Sequence, residues 1–437
     1  VRGEKQVPEK FDAIVVGAGV AGLAAAYKMA KEGLSVAVIE RGDNPGAKNV
    51  MGGVLYRAMT EQLIPEFWKE APIQRPVVEQ RFWMMDEQSA VTMGYKGQEW
   101  AKEPYNCFTV FRGQFDDWFG RKCSEAGAII INETVVDSCL VEKDRVIGVR
   151  TGRAEGDLHA NVVVLADGIN SLLSKQLGFH NEWQPDQVAL AAMEVLKLPC
   201  EVIEDRFNLE PGMGATIEIY GDGAMGLVGT AFIYTNKEHL SIGVGALLSQ
   251  MVEMKVRPYE LLEYLKRHPM VKPLLKDAQP VEYYAHLIPE GGYNAIPKMV
   301  GNGVLVAGDA AQLVNGIHRE GSNLAMTSGR LAAEAIIKAH KTGDFSAKQL
   351  SQYEEDLRNS FVIDDLKKYK NASSLLETNP QYFNEYIPYA NKALHEILTV
   401  DGLSKREKQK LIIKHVLGEH SMFDLTKDVY KIWKAMK

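Results

Sequence analysis

Three glycines and an acid near the start of the chain have the types and spacing to bind a nucleotide. Gly17, Gly19 and Gly22 fit G-x-G-x-x-G, and Glu40 follows 18 residues after the last of them, with Arg41 beside it. In such a turn the first glycine allows a sharp bend, the second lets backbone approach a pyrophosphate, and the third lets a helix pack on a strand. The anion then meets the free amides and positive end of the helix, and the acid accepts hydrogen bonds from ribose hydroxyls. Taken alone, the spacing also suits an ordinary glycine turn. The flanking residues decide between the two. Phe11–Val16 is nearly all apolar, as a parallel strand buried on both faces should be. AGLAAAYKMAKE predicts a helix to about Glu32, with Gly33 placed for a left-handed cap, and Ser35–Ile39 predicts the strand that ends at Glu40. A dinucleotide is expected at this end of the chain.

Two later stretches repeat the placement of an acid after a buried strand. NVVVLADGINSLLSKQLG turns at Asp167-Gly168, with Asn170 and Ser171 entering a helix, and NGVLVAGDAAQLVNGIHREGSNLAMTSGRLAAEAI turns at Gly308-Asp309 and continues through a loop into a long helix. Ligands of open α/β sheets bind at such strand ends. Asp167 by itself also reads as a loop aspartate capping a helix.

With these three motifs in order, the chain resembles the glutathione-reductase-type FAD fold, in the branch shared by aromatic hydroxylases, geranylgeranyl reductases and electron-transfer-flavoprotein:quinone oxidoreductases. The resemblance implies that FAD is the cofactor and that Asp309 holds its ribityl chain. FRGQFDDWFGRKCSEAG is similar to the R-x-x-F-D-x-W helix of that branch, which implies a place for Arg112 beside the ribityl or pyrophosphate region. The resemblance also implies that Asp167 and Gly168 shape that site.

The loop after Asp309 separates the members of the branch. Aromatic hydroxylases usually have prolines there, whereas this chain reads QLVNGIHREGSN; its continuation from Gly321, with Asn323, to Gly329 is similar to the G-x-x-x-A-M-x-S-G of geranylgeranyl reductases and quinone oxidoreductases. GDNPGAKNVMGGVLY resembles the G-A-K-N-x-x-G-G of FixC-type proteins, quinone oxidoreductase relatives of similar length. Gly52 and Gly53 would then border the flavin, since two glycines let backbone lie flat near a ring. A plain surface turn is the other reading of this segment. His318 and Arg319, in the loop beside the ring, are the candidates for shaping the flavin and acceptor site; alternatively they are solvated or paired with Glu320.

Cysteine usage bears on partners. Cys107, Cys123, Cys139 and Cys200 lie at least sixteen residues apart with no C-x-x-C pair and none beyond position 200. Neither a metal site nor a disulfide framework is expected, and a reducing cytosol fits. A [4Fe-4S] cluster needs about four organised thiolates, so this chain would not hold one unaided. In FixC-type systems the cluster belongs to a separate small ferredoxin-like iron-sulfur subunit, and electrons arrive from an electron-transfer flavoprotein. The resemblance therefore implies electron transfer from that flavoprotein, through that subunit, to a membrane quinone, and leaves open a complex that bifurcates electrons between quinone and ferredoxin. A geranylgeranyl-type prenyl reductase and a flavin-bearing structural subunit are the alternatives; a hydroxylase ranks behind both.

The chain has 437 residues, 46% of them hydrophobic, and a formal charge of -7. That size suits two or three domains with a large core, and the charge gives nucleic acid no basic footprint. No stretch approaches the roughly 18 to 20 apolar residues that span a bilayer, and VRGEKQVPEK contains no apolar signal core. The expected location is the cytoplasm, peripheral on the inner face of the cell membrane. The expected fold class is α/β: a discontinuous FAD-binding Rossmann domain (residues 9–60, 105–178 and 285–341), an inserted antiparallel β-sheet acceptor domain (61–104 and 179–284) and a helical C-terminal partner-docking region (342–437). RPYELLEYLKRHPMVKPLL is amphipathic, with Leu261, Leu262 and Leu265 at helical spacing. A core-facing helix is its favoured reading; a membrane contact through Lys266, Arg267 and Lys272 is the other.

Overall fold

Apolar runs too short for helices, closed by glycine turns, become strands buried on both faces. In the computed structural model, which describes residues 10–48, 52–419 and 422–436, the strands are β1 (Lys10–Val16), β2 (Val36–Ile39), β3 (Gly52–Tyr56), β4 (Ile73–Met85), β5 (Ala90–Lys96), β6 (Cys107–Phe111), β7 (Ile129–Ile131), β8 (Val136–Glu142), β9 (Arg145–Thr151), β10 (Asp157–Leu165), β11 (Val188–Lys197), β12 (Gly214–Gly221), β13 (Gly229–Thr235), β14 (His239–Leu247), β15 (Gln279–Pro289), β16 (Val300–Gly301) and β17 (Val304–Val306). The principal helices that position the site are α1 (Val20–Lys31), α2 (Arg112–Glu125), α3 (Pro258–Arg267) and α4 (Ser322–Thr342). The N-terminal stretch read for a signal segment and Asn49 to Met51 of the GAKN motif lie outside the described residues.

The first sheet runs β7-β2-β1-β10-β17 in parallel, with β16 antiparallel at one edge and the β8-β9 hairpin joined to the start of β10. Helix α1 packs on β1, β2 and β10, and α4 packs on α1. These helices meet at backbone distance because Gly329 has no side chain: an ideal Cβ there would sit 2.0 Å from the Ala21 carbonyl oxygen. The glycine that closes the G-x-x-x-A-M-x-S-G stretch thus has a packing task.

The second sheet runs β15-β11-β14-β13-β12-β4-β6-β3, with β5 on β4. It is antiparallel except where β12 and β4 run parallel, a correction to the fully antiparallel expectation. Two of its strands come from stretches expected within the FAD-binding domain: Gly53 of β3 pairs with Val110 of β6, and β6 pairs with β4. The Gly52-Gly53 pair therefore opens a strand and is no surface turn. Helix α3 buries Leu261, Leu262 and Leu265 in the second core. Lys266 pairs with Glu194 at 2.9 Å and with Glu263 at 2.6 Å, so this helix faces protein. Among the described residues no helix is long and apolar enough to cross a membrane.

Candidate functional site

A cavity of about 840 Å³ runs from the first glycine turn to the second sheet. At its nucleotide end, Gly17 has φ +98°, and a side chain there would strike the Ala166 carbonyl at 2.3 Å. Gly22 is as constrained, its ideal Cβ falling 2.0 Å from the Gly17 carbonyl oxygen. Gly19 differs: no atom lies within 4 Å of where its Cβ would be, and it lines the cavity. It also caps α1 without a side-chain acceptor, so the first-turn amides stay available to an anion. Glu40 is buried and accepts hydrogen bonds from the Ala18 amide at 2.9 Å and the Gly42 amide at 2.7 Å. Its carboxylate braces the turn, and each oxygen keeps a lone pair for a ribose hydroxyl. Arg41 lies beside it on the cavity wall.

The middle of the cavity is built by three acids and Arg112. Arg112 opens α2 and forms a two-pronged ion pair with Asp116, one turn on, at 2.8 and 2.9 Å. A third bond, 3.1 Å long, reaches the Ser322 hydroxyl at the start of α4. Arg112 thereby ties two helix N-termini to one wall. Asp309 sits in the turn that Gly308 makes at φ +68°, where a Cβ would meet Ala21 at 2.8 Å. Burial raises the Asp309 carboxyl, opposed by the Arg112 charge. Asp167, before Gly168, is at the same level, with Oδ1 buried and unpartnered. The helix after it begins at Leu172, and Ser171 takes a left-handed conformation instead of joining it.

Burial pushes Asp167 up to about 6, while backbone amides and the charges of His180 and Arg41 pull the other way. The folded value lies above the ordinary 3.8, so between those values the folded chain holds a proton that the unfolded chain has lost. The stability this confers is full below the ordinary value and is lost as pH rises through about 6. In flavin-free protein, Asp167→Asn is expected to gain in unfolding midpoint relative to wild type across that window, then level off. A difference independent of pH would contradict this assignment.

At the end of the cavity next to the second sheet, the loop after Asp309 folds into a tip held by paired backbone bonds, Asn315 to Glu320 at 2.9 Å and Glu320 to Asn315 at 3.1 Å. His318 and Arg319 leave that tip in different directions. Arg319 has φ +53° and enters the cavity wall, where its Nε lies 2.7 Å from Glu218 of β12 and its guanidinium bonds the Tyr220 hydroxyl. His318 is exposed and meets the Tyr369 hydroxyl at 2.9 Å. The alternative pairing of the two with Glu320 is corrected: Glu320 accepts a bond from Asn323 at 2.8 Å. Gly53, Gly321 and Asn323 also border this end, and the Asn323 side-chain oxygen is buried without a partner. Sequence reading missed Glu218, Tyr220 and Glu290; the acid inside the apolar run TIEIY was the available signal for the first.

The free amides at α1, the open space over Gly19, and the unpartnered oxygens of Asp167 and Asn323 suit an elongated ligand with an anionic middle and a polar ring. A dinucleotide carrying a flavin has that form. Residues 12–94 match the FAD dependent oxidoreductase family, and residues 372–437 match the ETF-QO/FixC family C-terminal domain. Protein FixC of Bradyrhizobium diazoefficiens is 49% identical over 99% of this chain and 100% of its own length. Protein FixC of Azotobacter vinelandii is 46% identical over 98% and 100%. An Escherichia coli relative named "Probable electron transfer flavoprotein-quinone oxidoreductase" is 38% identical over 97% and 98%. Among solved structures, a geranylgeranyl bacteriochlorophyll reductase-like protein from Thermoplasma acidophilum superposes with TM-score 0.73 at 19% identity, covering 94% of this chain and 99% of that one. The halogenase PltM in complex with FAD gives 0.64 at 18%, covering 94% and 84%. These two likenesses establish the fold.

The molecule is an FAD-dependent oxidoreductase of α/β architecture. The chain belongs to the FixC-type branch of the electron-transfer-flavoprotein:quinone oxidoreductase family.

Proposed function

We propose that this flavoprotein carries electrons from an electron-transfer flavoprotein, by way of a separate small ferredoxin-like iron-sulfur subunit, to a membrane quinone. It would do so at the inner face of the membrane, in a complex that can bifurcate electrons. One observation carries the reading. The C-terminal region matched to the ETF-QO/FixC domain is part of the cavity itself, contributing Ala372, Leu376, Phe383 and Ile432 to its wall. A segment characteristic of quinone oxidoreductases thus helps enclose the place where an acceptor would sit.

Bound FAD supplies the capacity to take electrons singly and pass them on in pairs. The chain's own residues do the rest. The α1 amides and Arg112 would hold the anionic middle of the cofactor, and Asp309 would accept from its ribityl hydroxyls. Ala189, Ala191 and Gly245 give the second sheet a small-residue floor on which a flat acceptor can lie. Arg319 brings a cation to the acceptor end, tempered by Glu218. The four cysteines are separate free thiols, and among the described residues no His, Cys, Asp and Glu side chains gather as metal ligands. A cluster on a second chain is in keeping with that.

Native co-purification tests the partners. The expected result is the chain together with an electron-transfer flavoprotein and a small iron-sulfur protein. Recovery of the chain alone, with FAD that quinone leaves reduced but prenylated lipid reoxidises, would support the prenyl reductase reading instead; FAD that no partner reduces would support a structural role.

A further inference from the structure

One carboxyl at the acceptor end has no task in the account above. Glu290 follows directly on β15, its amide donating to the Gln187 carbonyl at 2.8 Å, and its side chain lines the cavity. The loop tip held between Asn315 and Glu320 is shaped to it. An ideal Cβ on Gly316 would lie 2.0 Å from one Glu290 oxygen and 3.3 Å from the other, so the carboxyl rests against bare backbone and would have to swing aside for a larger residue.

Tyr56 and Tyr382 also line the cavity, and burial raises both hydroxyls. Most other titratable neighbours at this end are engaged elsewhere. Glu218 and Tyr220 hold Arg319, and the Tyr234 hydroxyl lies 3.4 Å from Glu218. Glu320 accepts from Asn323, and His318 is turned to Tyr369. On β15, Tyr284 bonds Glu282, while burial and the charges of Arg41 and Arg112 keep His286 toward its neutral form. Burial pushes Glu290 up to about 7, and the Arg319 charge limits the rise. A general acid works best with its titration near the working pH.

We propose that Glu290 gives a proton to the quinone reduced in this cavity, an inference that rests on the electron-transfer reading. Quinone reduction takes up two electrons and two protons. Bound FAD, as its reduced anion, would supply both electrons and one of the protons. The second proton comes from neutral Glu290: its O–H bond breaks as an O–H bond forms on a quinone oxygen. The products are hydroquinone, oxidised flavin and a Glu290 carboxylate, which Arg319 stabilises until water returns the proton.

Glu290→Gln keeps the shape of the side chain, and its flavin content is checked by visible absorbance. After anaerobic reduction, wild type is expected to be reoxidised by a soluble short-chain quinone at a rate that falls as pH rises through about 7. The variant should be slower by on the order of 100-fold and flat with pH. Infrared spectra of the flavin-bearing protein give a readout apart from turnover. A protonated-carboxyl band should vanish on titration through about 7 in wild type and be missing from the variant. Equal rates and profiles in the two proteins would overturn the role of Glu290 alone. Failure of quinone to reoxidise wild type would overturn the electron-transfer reading and this inference with it.

Discussion

Gly22→Ala protein is expected to bind its flavin more weakly and to purify with less of it. The added methyl would lie 2.0 Å from the Gly17 carbonyl oxygen and 3.1 Å from a Val15 methyl, and the first obstacle is backbone. Either α1 moves away from the turn or the turn opens, and both displace the amides that meet the pyrophosphate. Overpacking of this kind costs about 1–3 kcal/mol. At about 1.4 kcal/mol per factor of ten, that is a loss of roughly 5- to 150-fold in FAD affinity. Gly19→Ala separates binding from folding. Gly19 has φ -81°, open to alanine, and its methyl would meet nothing in the protein. The flavin-free Gly19 variant should unfold with wild type yet bind FAD more weakly, because the methyl takes up cavity space. Flavin titration and thermal unfolding of both variants measure this; full FAD content in Gly22→Ala would contradict the assignment of the turn.

Arg112→Leu is expected to destabilise the fold by about 3–5 kcal/mol, the usual penalty for removing one member of a buried ion pair. Asp116 is 0% exposed, and its two oxygens receive the Arg112 fork. With the guanidinium gone, the buried Asp116 carboxylate loses both bonds of that fork, and α2 loses its tie to α4 at Ser322. Arg112→Leu combined with Asp116→Leu removes both charges of the pair and should recover most of the loss. Denaturant midpoints for the two single variants and the double variant decide the matter. A double variant as unstable as Arg112→Leu would place the effect in packing and not in charge.

The nucleotide half of the site could be read from the sequence because its rules are local. Gly17, Gly19 and Gly22 lie between a strand and a helix whose apolar patterns extend over a dozen residues, and Glu40 ends the next strand. Asp167 and Asp309 were found in the same way, each at the end of a buried run. The other end of the cavity depends on contacts between distant segments. Arg319 pairs with Glu218, and Glu290 packs on Gly316; no periodicity links those partners. The destination of β3 was hidden for the same reason. A strand of five residues carries no sign of which sheet it will join, and Gly52-Gly53 looks like a turn until Phe111 and Val110 are seen opposite it. Helix α3 was legible in part: its leucine face announced burial, while the engagement of Lys266 by Glu194 required the second sheet to be in place.

The most direct test of the electron-transfer account is a visible spectrum of the purified chain, recorded without oxygen as reactants are added in turn. NADH alone should leave the flavin oxidised. Addition of the electron-transfer flavoprotein and the small iron-sulfur chain should bleach it, and a soluble quinone should then restore the oxidised spectrum. Bleaching by NADH without partners, or a reduced flavin that quinone leaves unchanged, would contradict the account.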